Sequence, residues 1–225
     1  TPCGTLFPYT TLFRSERSTT TDSDHKKQVA LCLIGLVLAY HFCCRPIPHP
    51  PRHPDNLCAV FREHPGWYKS ARAAADRWSV PIPVMMAIMY HESRFQADAR
   101  PPRETRLFLP TGPRPSTAFG YPQALDGTWE QYVKRTGNRG ARRDDFADSV
   151  DFIGWYCHLS GVCRGIAPDD PFRLYLAYHE GHAGFLRRSY ADKPWLLKVA
   201  RRVADRANRY EAQLAVCGLD TGIGD

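Results

Sequence analysis

The sequence lacks the patterns that mark several classes of protein. No glycine period or heptad repeat runs through its 225 residues, which excludes collagen-like and coiled-coil chains. We find no convincing strand alternation, no internal repeat and no glycine-rich nucleotide-binding loop. No apolar run reaches the roughly 20 residues that a membrane-spanning helix needs. What remains is an ordinary globular composition, 43% hydrophobic and 24% charged, which excludes wholesale disorder.

The sequence of the N-terminal part of the chain predicts three segments that lie outside the folded domain. Residues 6–15 resemble the translation of a sequencing adapter, so we interpret residues 1–24 as an artefact and a polar leader. Residues 25–44 combine two lysines with a short apolar run, as a signal peptide or membrane anchor does. Five prolines within residues 45–54 predict an extended, semi-rigid linker.

The apolar run ends in Cys43 and Cys44, which is typical of a bacterial lipoprotein. Small residues are expected just before a lipidated cysteine, but Tyr40, His41 and Phe42 are all bulky. We therefore favour export and membrane tethering over lipid attachment specifically. This interpretation predicts a periplasmic domain of the bacterial cell envelope, anchored as a lipoprotein or by an uncleaved signal anchor.

The charge balance is basic, with a net charge of +7. Such a balance can indicate nucleic-acid binding. No recognised nucleic-acid motif accompanies it, and export would separate the domain from the genome. We expect no nucleic-acid partner, and we expect the arginines to form solvated faces that favour an anionic wall polymer.

Residues 55–217 have the periodicity of a single all-α domain, followed by a tail over residues 218–225. Apolar spacing and start signals predict helices over residues 65–78, 81–90, 123–135, 144–158, 171–178 and 193–216. Ser79 is expected to cap the second of these, which is apolar nearly all round and should be central. Residues 98–117 read as a long loop, and such loops tend to be functional.

Export also predicts oxidised cysteines. The four cysteines of the domain allow three pairings. Cys157 and Cys163 bracket a serine–glycine pair where the chain can turn, and Cys58 and Cys217 bracket the whole domain. We predict the disulfides Cys157–Cys163 and Cys58–Cys217, because no cysteine pair has the tight spacing of a zinc site.

The most specific chemical feature is Glu92, within the sequence HESRF at the end of the apolar helix. Apolar surroundings and the negative end of the helix dipole both raise a carboxyl pKa. A carboxyl that stays protonated near neutral pH can donate its proton to a leaving oxygen. The alternative is a structural carboxylate paired with Arg94 or Arg100.

Three short motifs resemble those of the lytic transglycosylases of the soluble-Slt type. Glu92–Ser93 resembles the family's glutamate–serine motif, and Gly120 to Gln123 resembles its glycine followed three positions later by glutamine. Residues 177–181 (AYHEG) resemble its alanine–tyrosine–asparagine with a nearby glycine. The motifs occur in family order, and the resemblance covers roughly residues 60–215. It implies a lysozyme-like helical domain.

The resemblance also implies a reaction. These enzymes cleave peptidoglycan between N-acetylmuramic acid and N-acetylglucosamine and leave a 1,6-anhydro end. Glu92 would be the single acid–base, protonating the scissile oxygen and then taking the proton of the muramyl 6-hydroxyl, unlike the two-carboxylate glycosidases. Residues implied to bind substrate or orient the glutamate are Ser93, Gly120, Gln123, Tyr178 and His179. We expect a monomer that binds peptidoglycan glycan strands, with no cofactor and no metal.

The chain departs from the family pattern at two places. Tyr121 and Pro122 replace a leucine–methionine pair, which would reshape the cleft wall. His179 replaces the family asparagine and Glu180 adds an acid beside it, so substrate binding identical to the family's is not implied. We do not assign Glu180 to catalysis. The loop from residue 100 to 116 is expected to form a cleft wall, with Phe108 as a sugar contact.

Other readings of the sequence stay open or rank lower. Residues 179–182 (HEGH) have one residue between glutamate and the second histidine, whereas the zinc-protease motif needs two. A hydrolytic muramidase of the same fold would need a second carboxylate such as Asp98. A non-catalytic wall-binding lipoprotein is the alternative from a different class.

Overall fold

The computed structural model describes residues 26–32, 48–105 and 110–219 of the chain. The chain divides into two compact units, residues 1–46 and residues 47–225. In the first unit, helix α1 is described over residues 26–32, all of them exposed. None of the described helices combines the length and the hydropathy that a membrane crossing requires. The expectations for residues 1–24, for Cys43 and Cys44 and for Phe108 fall outside the described residues.

The second unit is helical over its described residues, as the sequence predicts. Its helices, in chain order, are α2 (Leu57–Glu63), α3 (Pro65–Trp78), α4 (Ile82–Ser93), α5 (Asp126–Thr136), α6 (Phe146–Arg164), α7 (Pro171–Leu186) and α8 (Pro194–Leu214). An isolated β-bridge between Phe119 and Ala124 is the extent of extended pairing among these residues. The all-α prediction is confirmed.

Proline and aspartate set the starts of several helices. Helices α3, α7 and α8 each carry proline at the start, where its missing N–H interrupts no hydrogen bond. The side chain of Asp170 accepts a hydrogen bond from the backbone N–H of Arg173 at 3.0 Å and caps α7. Asp145 caps α6 in the same way through Asp148, at 3.2 Å. These local signals explain why the sequence predicts the starts of these helices closely.

Helix α4 is the centre of the fold. Ten of its 12 residues are buried, and it packs against α3, α6, α7 and α8. Burial of each large apolar side chain contributes about 1.5–3 kcal/mol. A helix surrounded in this way holds its last turn in a fixed place, and that turn carries Glu92.

Two predictions about local structure are wrong. Ser79 does not cap α4: it has a left-handed φ of 56° and ends α3, its N–H donating to Ala75 O at 2.8 Å. Gln123 does not begin a helix: it has φ 49° within a turn, and α5 begins at Asp126. The left-handed conformation of Ser79 ends α3, and Pro81 takes the N-cap position of α4. The left-handed conformation of Gln123 places it in the turn before α5.

The predicted disulfide Cys157–Cys163 is not formed, and both thiols are free. Helix α6 continues past Ser160 and Gly161 to Arg164, so the two cysteines lie six residues apart on one helix. Six residues advance about 9 Å along a helix axis, beyond the roughly 7 Å that a disulfide spans between Cα atoms. Cys157 is buried and Cys163 is exposed.

The predicted disulfide Cys58–Cys217 is present, with its Cα atoms 5.7 Å apart. It joins α2 to the segment that follows α8. Beside it, the Gln213 side chain accepts from Leu57 N at 2.7 Å and donates to Asp55 O at 3.0 Å. Covalent and hydrogen bonds thus join the two ends of the helical unit.

Candidate active site

A cleft of about 500 Å³ lies at the end of α4. Its walls come from α6, α7 and the segment from Ser116 to Thr128. The residues from the sequence motifs that line it are Glu92, Gln123, Tyr178, His179, Glu180 and Gly181. The fold therefore brings three motifs that are distant in sequence to one concave site.

Glu92 presents a partly buried carboxyl group to this cleft. Its Oε1 atom is buried and has no hydrogen-bond partner among the described residues. Desolvation raises the pKa of Glu92 from 4.5 to about 7, and an interaction with the Tyr175 hydroxyl offsets part of that rise. A carboxyl group with such a pKa is populated in both forms near neutral pH, so it can donate a proton and later accept one.

The geometry does not support the alternative that Glu92 is a structural carboxylate paired with Arg94 or Arg100. Arg94 lies over the ring of Tyr90, at 4.4 Å from its centroid. Arg100 lies over the ring of Phe119, at 4.1 Å. Neither arginine forms an ion pair with Glu92 among the described residues.

Two tyrosines of α7 face the glutamate. Burial raises the pKa of Tyr175 and that of Tyr178, and the negative charge of Glu92 adds to both effects. Both hydroxyls therefore stay neutral hydrogen-bond donors. The hydroxyl of Tyr178 donates to Pro122 O at 2.6 Å and ties α7 to the cleft wall. Tyr175 was not predicted, although its position three residues before Tyr178 on the same helix face could have indicated it.

A tight turn fixes Gln123 at the cleft. Its Nε2 donates to Ala99 O at 2.9 Å and to Gly120 O at 2.8 Å. Gly120 has φ 74°, and a Cβ there would lie 2.0 Å from Arg143 O, so the turn requires glycine. Gly120 does not line the cleft; it shapes the turn that presents Gln123.

Ser93 lies outside the cleft. It is buried, and its hydroxyl donates to Met89 O at 3.2 Å, within α4. The geometry therefore gives direct substrate contact by Ser93 no support. Its hydroxyl instead bonds the last turn of the helix that carries Glu92.

The second carboxyl group at the cleft, that of Glu180, belongs to an ion pair. Lys193 Nζ lies 2.8 and 2.9 Å from its two oxygens, and Ser189 and His179 also hydrogen-bond to it. Burial alone would raise the pKa of Glu180, but these hydrogen bonds outweigh it and lower the pKa to about 2. Glu180 is thus ionised at neutral pH and holds no proton to donate.

His179 and His182 have different surroundings. His179 Nδ1 lies 3.1 Å from a carboxyl oxygen of Glu180. His182 Nε2 lies 2.9 Å from Ser160 Oγ. Between the two histidines, Gly181 interrupts the helix with φ 71° and ψ 160°. They therefore lack the shared helical face of a zinc-protease motif.

Of the other residues that the sequence predicts for the site, some line the cleft and some do not. Asp98 is exposed and does not line the cleft. Of the loop predicted as a cleft wall, Ser116 does line it. Phe152 and Tyr156, on α6, complete the apolar side of the cleft. The sequence placed these two residues on a helix without predicting a role for them at the site.

A family model described as "Transglycosylase SLT domain" matches residues 30–217 of the chain. The matched range contains all three motifs and every residue of the cleft. No curated protein matches the chain.

Proposed function

The chain belongs to the transglycosylase SLT domain family, and on that premise we propose that it cleaves peptidoglycan between N-acetylmuramic acid and N-acetylglucosamine, leaving a 1,6-anhydro end. The family indicates lysis of peptidoglycan in the cell envelope. The main support for this bond specificity and this product is the carboxyl group of Glu92. It lines the cleft, and its pKa is raised to about 7.

In the proposed first step, the acid form of Glu92 donates its proton to the glycosidic oxygen. The bond from that oxygen to the anomeric carbon of N-acetylmuramic acid breaks, and N-acetylglucosamine leaves as an alcohol. A donor with a pKa near the ambient pH suits this step, because the acid form is populated and still gives up its proton readily.

In the second step, the Glu92 carboxylate accepts the proton of the muramyl 6-hydroxyl. The oxygen of that hydroxyl attacks the anomeric carbon and closes the 1,6-anhydro ring. Glu92 is returned to its acid form and no water is consumed. One carboxyl group thus serves both steps, once as acid and once as base.

The electrostatics of the cleft support a mechanism with one carboxyl group. Glycosidases that transfer to water use two carboxyl groups about 5–9.5 Å apart on either side of the bond. Both oxygens of Glu180 are engaged by Lys193, and its pKa of about 2 makes Glu180 a weak base. Asp98 does not line the cleft. Neither carboxyl group is therefore favoured as the base or nucleophile that a hydrolytic muramidase would require.

Other residues of the cleft are proposed to bind the glycan. Gln123, Tyr178 and His179 offer polar groups on its walls, and Tyr156 and Phe152 offer aromatic surface to sugar rings. Ser93 and Gly120 are proposed to act indirectly. The Ser93 hydroxyl bonds to the last turn of α4, and Gly120 permits the turn that positions Gln123.

The roles of the segments that precede the catalytic domain, and its oligomeric state, are also proposed. We propose that residues 25–44 export the chain and tether it to the membrane, and that residues 45–54 space the domain from that tether. We further propose that the domain acts as a monomer.

Product analysis tests this function. Purified sacculi are digested with the wild-type chain, with Glu92→Gln and with the control Glu130→Gln, whose residue is exposed on α5. In the digests with the wild type and with the control, mass spectrometry should show soluble muropeptides one water lighter than their reducing forms. The digest with Glu92→Gln should contain no such fragments. Reducing ends would support the hydrolytic muramidase instead. The absence of soluble product from the wild-type chain would support the non-catalytic binder.

A further inference from the structure

Three metal-ligating side chains meet where the proline-rich linker passes the junction of α2 and α3. His49 lies in the linker, Glu63 is the last residue of α2, and His64 lies between the two helices. One potential ligand atom of each lies within 4.8 Å of those of the other two. None of the three lines the cleft, so the cluster has no part in the proposed cleavage.

Two polar atoms of this cluster are buried and have no hydrogen-bond partner in the part of the chain that the structure describes. They are Oε1 of Glu63 and Nε2 of His64. Buried polar atoms in native proteins are normally paired, and an exception calls for a ligand or another specific cause. A bound cation would satisfy both atoms at once.

The spacing of the ligand atoms suits a zinc-like ion. Zinc binds nitrogen and carboxylate oxygen at about 2.0–2.2 Å in a tetrahedron, which places neighbouring ligand atoms roughly 3.3–3.5 Å apart. His49 Nδ1 and Glu63 Oε1 are 3.3 Å apart. The His49 side chain is 64% exposed, so it can make the small shift that closes the site on the third ligand.

Neighbouring groups hold the ligands in place. The backbone N–H of Arg52 donates to Glu63 Oε2 at 3.0 Å, which leaves Oε1 for an ion. The His64 ring stacks on Trp67 at 4.2 Å between centroids. Such supporting contacts orient ligands in metal sites. The Arg52 side chain, with Nε 3.9 Å from Oε1, is 82% exposed and can turn to solvent when a cation binds.

We propose that His49, Glu63 and His64 bind one divalent transition-metal ion of the zinc class. Two imidazoles and one carboxylate form a donor set that zinc accepts, with water at the fourth position. Magnesium and calcium prefer oxygen ligands throughout and are disfavoured here. Because His49 belongs to the linker while the other two ligands belong to the helical unit, the ion fastens the linker to the folded domain.

Zinc titration tests the site. The full chain is used with its accessible free thiols alkylated, because thiolates also bind zinc. Isothermal titration with zinc chloride should give one ion per chain, whereas magnesium chloride gives none. His49→Ala, Glu63→Gln and His64→Ala should each weaken zinc affinity at least tenfold, and His53→Ala, in the same linker, should leave it unchanged. No zinc uptake by the wild-type chain, or a zinc affinity in the three ligand variants equal to that of the wild type, would overturn the proposal.

Trypsin cleavage after Arg52 tests the consequence for the linker. Zinc should slow this cleavage severalfold in the wild-type chain and leave it unchanged in His49→Ala at the same zinc concentration. His49 is exposed in the linker, so its replacement keeps the fold intact. Equal cleavage of the two proteins in the presence of zinc would show that the ion does not fasten the linker.

Discussion

Replacing Glu92 with glutamine is expected to abolish glycan cleavage and, at the same time, to stabilise the fold at alkaline pH. General acid–base catalysis contributes about 10²- to 10⁴-fold in rate, and Glu92 is proposed to act in both steps. Release of soluble fragments from sacculi should therefore fall by at least about 100-fold. In the wild-type chain, the rate should decline as the pH rises above 7, because the acid form of Glu92 is lost.

The stability effect follows from the same raised pKa. Between pH 4.5 and 7, Glu92 is protonated in the folded chain and ionised in the unfolded chain, so its contribution to folding becomes less favourable as the pH rises. A shift from 4.5 to about 7 corresponds to about 3 kcal/mol at pH 8. Glutamine carries no charge at any pH and removes this penalty.

Urea unfolding at pH 4 and pH 8 measures this effect. Glu92→Gln and the wild type should have similar free energies of unfolding at pH 4, and the variant should be more stable by up to about 3 kcal/mol at pH 8. Glu130→Gln, at an exposed position, should follow the wild type at both values. A difference between Glu92→Gln and wild type that does not change with pH would contradict a Glu92 carboxyl group whose pKa is raised by desolvation.

Removal of the Cys58–Cys217 disulfide is expected to cost about 5 kcal/mol of stability. The cysteines are 159 residues apart, and cross-linking so long a loop strongly restricts the unfolded chain in the chain-entropy model. Because whole domains are stable by only about 5–15 kcal/mol, the double variant Cys58→Ser/Cys217→Ser should lie near the limit of folding.

Urea unfolding without reductant compares this double variant with Cys163→Ser. Cys163 is a free, exposed thiol on α6, so its replacement should change stability by less than about 0.5 kcal/mol. A reductant should bring the wild-type chain close to the double variant. Equal stability of the double variant and the control would show that the disulfide does not hold the two ends together.

Local signals account for what the sequence predicts well. Proline and aspartate at helix starts act through their own backbone and side-chain geometry, so Pro171 and Asp170 identify the beginning of α7 without tertiary information. The apolar run of α4 likewise indicates a central helix, and a carboxyl at its end is then expected to be desolvated. All of these signals act between residues that are close to one another in sequence.

Contacts between distant residues account for what the sequence could not predict. Gln123 is held in a left-handed turn by Ala99 O, 24 residues earlier. Glu180 is kept ionised by its ion pair with Lys193, which forms because α7 packs against α8. Local reasoning also failed at Gly161, which was expected to favour a turn but lies inside α6, so that Cys157 and Cys163 stay apart.

The pKa of the Glu92 side chain itself decides whether this carboxyl group can serve as the acid at neutral pH. Carbon-13 NMR of the chain with labelled glutamate carboxyl groups follows each group through a pH titration, and Glu92→Gln identifies the resonance by its loss. We expect a midpoint of about 7 for Glu92. A midpoint near the ordinary value of 4.5 would contradict it, because Glu92 would then be ionised at neutral pH and unable to serve as the acid.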